Sequence, residues 1–211
     1  MARPRSDIAP KILRSARKHF LYDGVDGASL RKIAADAGTS IGMIYYYFRT
    51  KDDLFLAIVE EVYARLLAEI ETLMDPALSA AERMRRVFLR FGALSDEEAA
   101  VLLLIVREAL AGPRTRIDRI LARFSRGHIP LLLGQVMNGI AAGELRDDLP
   151  APAITVASLA LAIFPQLMHR RVGNRTPFSA AMPTGAQLAT ALCELLLTGA
   201  TPREPKPPRR R

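Results

Sequence analysis

The sequence is poor in the residues that build disulfides and metal sites. Among its 211 residues are one cysteine, three histidines and no tryptophan. The single cysteine, Cys193, excludes an internal disulfide framework and any multi-cysteine metal site. His19, His128 and His169 lie far apart, without the short spacing of a zinc-binding helix. We therefore expect neither a metal nor a cofactor.

Motifs that carry catalysis are also missing. The sequence has no Gly-rich phosphate loop, no histidine near a plausible nucleophile and no paired carboxylates in an apolar setting. The adjacent acids Glu97-Glu98 and Asp147-Asp148 are interpreted as a helix cap and a solvated turn. The sequence therefore predicts a protein that is not an enzyme.

Long hydrophobic runs are limited to one segment. The N-terminus has no apolar stretch of the kind found in signal peptides, but residues 149–168 run twenty positions without a charge. Because Pro150, Pro152 and Pro165 interrupt this run, we interpret it as a helix buried in a core or a subunit contact. A membrane span is the less favoured alternative. We predict a cytoplasmic protein with no membrane partner.

The basic charge is concentrated at the two ends of the chain. The formal net charge is +8, with ten Lys/Arg against six Asp/Glu in residues 1–53 and fifteen of each in residues 54–202. Residues 203–211 hold five basic residues and one acidic residue. A basic segment beside a neutral body is typical of a nucleic-acid-binding domain joined to a second domain.

Apolar residues recur at helical spacing along the chain, and no stretch shows the alternation of a strand. The predicted fold class is therefore all-α. The segment 173–183 is expected to be a connection, and the Pro-rich tail after Gly199 is expected to be disordered. Helices are predicted over residues 6–23, 29–36, 40–48, 50–74, 80–93, 96–111, 115–126, 130–143, 152–171 and 184–198.

Residues 29–54, SLRKIAADAGTSIGMIYYYFRTKDDL, have the pattern of a helix-turn-helix. Ala34 is small where the second helix crosses closely, and Gly38 supplies the turn. Ile44 and Phe48 are four positions apart and share one helix face, so both are expected to point into the domain. The opposite side of that helix is then free to contact a partner.

Three consecutive tyrosines lie on this helix. Their hydroxyls can donate to phosphates, and their rings can lie against sugars or thymine methyls in the major groove of double-stranded DNA. A lysine at the start of the next helix is suited to a phosphate. The alternative to DNA contact is that the tyrosines only pack within the domain and that the lysine is only solvated. The predicted DNA-binding residues are Ser29, Thr39, Ser40, Ile41, Gly42, Met43, Tyr45, Tyr46, Tyr47 and Lys51.

This segment resembles the DNA-binding part of the tetracycline-repressor (TetR/AcrR) family of bacterial regulators. The resemblance covers roughly residues 6–60, about a quarter of the chain. Tyr47 departs from it, since the family often has His there, and Ile41 and Met43 are apolar where many members have polar residues. The positions that match are Ile33-Ala34, Ala37-Gly38, Ser40, Gly42, Ile44-Tyr45, Phe48, Lys51 and Leu54.

The resemblance implies a homodimeric repressor that binds a palindromic operator and is released by a small-molecule effector. It implies a three-helix helix-turn-helix domain over residues 1–53 and a helical effector-binding and dimerisation domain over 54–199. The composition of residues 200–211 predicts a disordered basic tail after these domains. A single helix-turn-helix binds DNA weakly, so doubling it is expected. The last two long helices would form a four-helix contact through small residues: Ala157, Ala160, Ala186 and Ala189.

By the same analogy the effector pocket lies among the central helices. Arg107 within VLLLIVREAL is a candidate because an interior guanidinium needs an anionic partner; the alternative is a pair with Glu108 or a side chain in solvent. The composition favours a hydrophobic effector. A non-specific or architectural DNA-binding protein, and an activator, remain alternatives. The candidate ligand-binding residues are Met84, Phe88, Phe91, Leu103, Arg107, Phe124, His128, Met137 and Phe164.

Overall fold

The computed structural model describes residues 7–200, and all the elements in that range are helices, which confirms the all-α prediction. Eleven helices are found there: α1 Ile8–Gly27, α2 Leu30–Asp36, α3 Ile41–Tyr47, α4 Lys51–Thr72, α5 Ala80–Gly92, α6 Asp96–Ala111, α7 Arg114–Phe124, α8 His128–Ala141, α9 Ala151–Val172, α10 Pro177–Ala181 and α11 Gly185–Ala200.

Polar side chains fix several helix starts. Ser29, Ser40 and Ser79 each accept a hydrogen bond from the backbone N–H three residues further on. Ser95 forms a reciprocal capping box with Glu98. Such caps satisfy N–H groups that have no partner inside the helix, so the start is set locally.

Most helix boundaries differ from the prediction by one or two residues; α4, for example, ends at Thr72 rather than 74, and α11 ends at Ala200 rather than 198. α1 continues to Gly27 through a kink at Gly24, where φ is 77°. α7 begins at Arg114 rather than 115, and α8 begins at His128 rather than 130. The expected connection 173–183 contains α10, which Thr176 caps. Ser6, where the first helix is predicted to begin, and residues 201–211 of the predicted tail lie outside the described residues.

The chain divides into two compact units. The first comprises residues up to Leu66 together with Ser95–Arg123. Its core contains Phe20 of α1 and Phe55 of α4, whose rings meet edge-on with centroids 6.5 Å apart. α1 is tied to α2 where the Ser15 hydroxyl donates to the Ile33 carbonyl at 3.0 Å.

The second unit comprises residues 67–94 and the chain from Phe124 onward. In it α5, α8, α9 and α11 pack against one another. Helices α5 and α11 cross closely at Gly92, where an added Cβ would lie 2.9 Å from the Ala189 Cβ. Cys193 is buried in this unit, and burial raises the pKa of its thiol to about 11. It is therefore a core residue rather than a reactive thiol.

Helix α9 is long and apolar enough to cross a membrane by length and composition, and 28% of its most apolar stretch is buried in the structure. It packs against α5, α8 and α11. The buried Gln166 amide donates to the Gly185 carbonyl at 3.2 Å. One face of α9 remains exposed, and it carries Val156, Ala160, Phe164 and Met168.

Candidate functional site

Helix α3 is held on the first unit by one apolar face. Ile44 is fully buried, and the turn before α3 passes through Gly38 with φ of 65°. This left-handed conformation favours glycine. Thr39 donates its backbone N–H to the Ala34 carbonyl at 2.9 Å, which closes the turn. The two helices α2 and α3 thereby form the predicted helix-turn-helix.

The opposite face of α3 is open. Tyr45 is 52% exposed and Tyr46 is 70% exposed, and Ile41 and Gly42 are also at the surface. Tyr47 is half-buried, with its ring 5.2 Å from that of Tyr46 in an edge-on arrangement. The exposed face therefore carries two phenolic hydroxyls and an approachable backbone at the glycine.

The other predicted DNA-binding residues surround α3. Ser29 and Ser40 cap α2 and α3, while Thr39 and Met43 are half-buried. Lys51 at the start of α4 donates its ammonium to the Asp26 carbonyl at 2.8 Å. This contact fixes its side chain against the end of α1, a position that the sequence pattern did not indicate.

Sequence reasoning did not single out three exposed cations of the helix-turn-helix segment. Arg31 and Lys32 on α2 and Arg49 after α3 are all at the surface. Their position in the basic N-terminal segment was the available signal. Cations near a recognition helix commonly contact DNA phosphates, and such contacts do not distinguish one base sequence from another.

A buried arginine joins four helices of the first unit. Arg116 of α7 is 2% exposed, and its Nη2 lies 2.7 Å from Asp26 Oδ1 and 2.8 Å from Asp52 Oδ1. Its Nη1 also donates to Glu108 of α6, which is buried. Burial lowers the pKa of the Arg116 guanidinium, but the hydrogen bonds to Asp26, Asp52 and Glu108 outweigh this and raise it. We call these four residues the Arg116 cluster.

Acid should weaken the first unit. Hydrogen bonds from Arg116, Arg119 and Arg123 lower the pKa values of Asp26, Asp53 and Glu60, respectively. A carboxyl with a lowered folded-state pKa stabilises the fold above its unfolded pKa of about 4. That stabilisation is lost as the pH falls through the folded value. We expect Tm to decline as the pH falls below about 4. A Tm that rises over this range would contradict the assignment.

The second unit contains a cavity between α5, α8 and α9 with a free volume of about 40 Å³, or about 490 Å³ when the open solvent at its mouth is counted. Its walls are mostly apolar. The lining residues are Met74, Ala80, Arg83, Met84, Val87, Phe88, Leu132, Gln135, Val136, Leu145, Thr155, Ser158, Leu159 and Ala162.

Two of the nine predicted ligand-binding residues, Met84 and Phe88, line this cavity. Phe91 is buried outside the lining, and Phe124 meets His128 edge-on at 5.2 Å. The structure places the remaining four elsewhere: Leu103 and Arg107 on α6 in the first unit, and Met137 and Phe164 at the surface of α8 and α9.

Among the described residues, Arg107 does not form the interior ion pair that the sequence suggested; Glu108 and Arg116 form one instead. Arg107 is exposed, and its guanidinium lies against Gly24, where an added Cβ would be 2.6 Å from Nη2. Glu108, one position on, is buried and binds Arg116. Consecutive helical residues point about 100° apart, which explains the difference.

A helix-turn-helix whose second helix has an open face with exposed tyrosines is typical of a DNA-binding regulator. The sequence model of the bacterial regulatory proteins, tetR family, matches residues 12–58. The chain is 30% identical over 154 residues to the transcriptional repressor NicS of Pseudomonas putida, an alignment that covers 72% of this chain and 70% of NicS. The chain belongs to the tetR family of transcriptional regulators.

Two further likenesses extend over most of the chain. The fatty acid metabolism regulator protein of Bacillus subtilis is 27% identical over 142 residues, which are 66% of this chain and 71% of that protein. The crystal structure of FadR from Bacillus subtilis in complex with stearoyl-CoA matches with a TM-score of 0.71 at 22% identity, over 90% of this chain and 98% of that chain. The latter likeness concerns the fold. The curated relatives are regulators, not enzymes.

Proposed function

We propose that this chain is a cytoplasmic, dimeric, ligand-responsive repressor that binds a palindromic operator through α3. A small, mainly apolar effector entering the cavity of the second unit releases it from DNA. The observation that carries the proposal is the open face of α3 in the first unit, in a chain whose second unit holds an apolar cavity.

The exposed residues of α3 support DNA binding. Tyr45 and Tyr46 offer hydroxyl donors to phosphates, and Gly42 permits close approach of the backbone. The helix-turn-helix also carries the exposed cations Arg31 and Lys32 on α2 and Arg49 after α3. Few side chains on α3 can form bidentate bonds with bases, so apolar contacts and DNA shape would carry much of the specificity.

The cavity supports an effector of apolar character. Its walls include Met74, Met84, Phe88, Leu132 and Leu159. Methionine side chains adapt to ligands of varied shape. The similar fold of FadR is known in complex with stearoyl-CoA, which has a long apolar chain.

The exposed face of α9 supports a dimer. Val156, Ala160, Phe164 and Met168 recur every four residues, so they form one apolar stripe along the helix. On α11, Leu195 and Ala186 are also exposed, whereas Ala189 is buried against Gly92. A continuous apolar stripe on a helix is typical of a subunit contact.

Footprinting on the DNA upstream of its own gene tests the proposed function. We expect a protected site with two-fold symmetry and half-sites about one duplex turn apart, or a multiple of it. Protection without two-fold symmetry would contradict the proposal that the protein binds DNA as a dimer. Protection that spreads with concentration over unrelated DNA would favour a non-specific binder.

Two substitutions test how the first unit contacts DNA. Tyr45→Phe should weaken operator binding about two- to tenfold, because one hydroxyl contact is lost.

Lys51→Ala should weaken operator binding and lower the slope of log affinity against log salt concentration by about one, because one phosphate contact is lost. Fluorescence anisotropy over a salt series measures both. Tyr22→Phe, at a residue that is 90% exposed on α1, is the control. An unchanged salt slope would assign Lys51 to the Asp26 contact alone.

A further inference from the structure

The cavity of the second unit has one charged residue among the described residues that line it, Arg83 of α5. Arg83 is 8% exposed. Its Nη1 donates to the carbonyls of Asp75, at 3.3 Å, and Leu78. Its Nε is buried without a hydrogen-bond acceptor. Within residues 7–200 no carboxylate forms an ion pair with this guanidinium.

A buried guanidinium without a counter-ion is costly. Arginine does not release its proton in proteins, so the guanidinium keeps its charge. Two carbonyl oxygens offset the cost of desolvation only in part. Glu144, whose carboxylate accepts from the Ala80 N–H near the cavity, forms no ion pair with Arg83. The site therefore lacks one negative charge.

The other polar groups of the wall do not supply that charge. The Thr155 hydroxyl donates to the Ala151 carbonyl at 2.9 Å, and the Ser158 hydroxyl donates to the Ile154 carbonyl at 2.7 Å. Their protons are thus used within α9. Gln135 adds an amide that has no hydrogen-bond partner among the described residues. The lining consequently combines apolar walls with unused donors at Arg83 and Gln135.

We propose that the effector is an apolar molecule with an anionic end, and that this anion pairs with Arg83 while the apolar part lies along the methionine and leucine walls. The inference rests on the proposed function and narrows the class of effector. A fatty acid carboxylate and the phosphates of an acyl-CoA thioester share the required chemistry. An uncharged hydrophobic effector, which composition alone favoured, would leave the guanidinium unpaired.

The test compares three probes with the same twelve-carbon chain: dodecanoate, dodecanoyl-CoA and 1-dodecanol. Calorimetry measures their binding to the full chain, and anisotropy measures release of the footprinted DNA. The chain has no tryptophan, so intrinsic fluorescence is a weak readout. Arg83→Met removes the charge, and Arg83→Lys retains it. The matched control is Arg86→Met, on the same helix but outside the cavity lining.

We expect the wild type to bind at least one of the two anionic probes more tightly than dodecanol. Arg83→Met should weaken binding of that anion about ten- to a hundredfold, the usual effect of losing a hydrogen bond to a charged group. Arg83→Lys should restore part of the affinity, and Arg86→Met should change nothing. Which anion binds distinguishes the carboxylate source from the phosphate source.

Equal binding of dodecanol and the anions, or equal loss with Arg86→Met, would overturn the inference. Binding of none of the probes up to their solubility limits would overturn it as well. Those results would leave the proposed function standing, since DNA binding and its symmetry are measured without any probe. Failure of the footprint would reject the proposed function even if dodecanoate binds at Arg83.

Discussion

Replacement of Arg116 by methionine is expected to lower Tm by about 6 to 20 °C. Removing one partner of a buried ion pair costs about 3–5 kcal/mol, because the remaining charge stays buried without compensation. In a chain of this size, each kcal/mol corresponds to about 2–4 °C. The residue left unpaired is Glu108, which is buried on α6. Asp26 is exposed and Asp52 is partly so, and water can solvate both.

Circular dichroism during heating measures the effect, and amide hydrogen exchange in α1, α4, α6 and α7 locates it. The control is Arg119→Met on the same helix. Arg119 pairs with Asp53 at 2.7 Å, but its side chain is 48% exposed. An exposed pair contributes about 1 kcal/mol or less, so this variant should unfold close to the wild-type temperature.

A second variant separates the charge from the packing. Combining Arg116→Met with Glu108→Met removes both charges, and replacing a buried pair by apolar residues is often neutral. We therefore expect the double variant to recover most of the lost stability. If Arg116→Met is no worse than Arg119→Met, the Arg116 cluster does not stabilise the first unit and the argument fails.

The Arg116 cluster could not be read from the sequence. Asp26 lies 90 positions from Arg116, and Asp52 lies 64 positions away. Helical periodicity shows which face of a helix is apolar, but not which distant charge meets a buried arginine. The charge count by segment did not help either, because Asp26 and Asp52 belong to the basic segment 1–53 while Glu108 and Arg116 belong to the neutral body.

The helix starts were predictable because capping is local. Ser95 and Glu98 are three residues apart, and both halves of their capping box form within one turn. The predicted span 96–111 agrees with α6. α10 was missed although Thr176, Pro177 and Ser179 carry a similar signal. A helix of five residues has no apolar periodicity with which to confirm its cap.

The candidate site was predictable to different degrees in the two units. Ile44 sets the phase of α3, so the exposure of Tyr45 and Tyr46 follows from one buried residue. In the cavity, Met84 was predicted and its neighbour Arg83 was not. A buried arginine is rare, and only tertiary contacts show that this one is enclosed.

Phe164→Glu is expected to convert the proposed dimer to a monomer and to weaken operator binding about a hundredfold or more. Phe164 is 52% exposed in the middle of the apolar stripe on α9. In a two-fold contact the substitution is made on both subunits, so two carboxylates would be buried without partners. A monomer contacts one half-site and loses the gain of binding both at once, which is about 10² to 10⁴ in affinity.

Leu121→Glu is the matched control. Leu121 is 53% exposed on α7, and its replacement adds the same charge outside the stripe. Sedimentation velocity gives the oligomeric state, and anisotropy compares DNA with one and with two half-sites. Phe164→Glu should bind a single half-site as tightly as the wild type does, because α3 is unchanged. A dimeric Phe164→Glu protein would place the subunit contact elsewhere. A wild type that is monomeric and still binds the operator with full affinity would contradict the proposed dimer, since a single helix-turn-helix would then suffice.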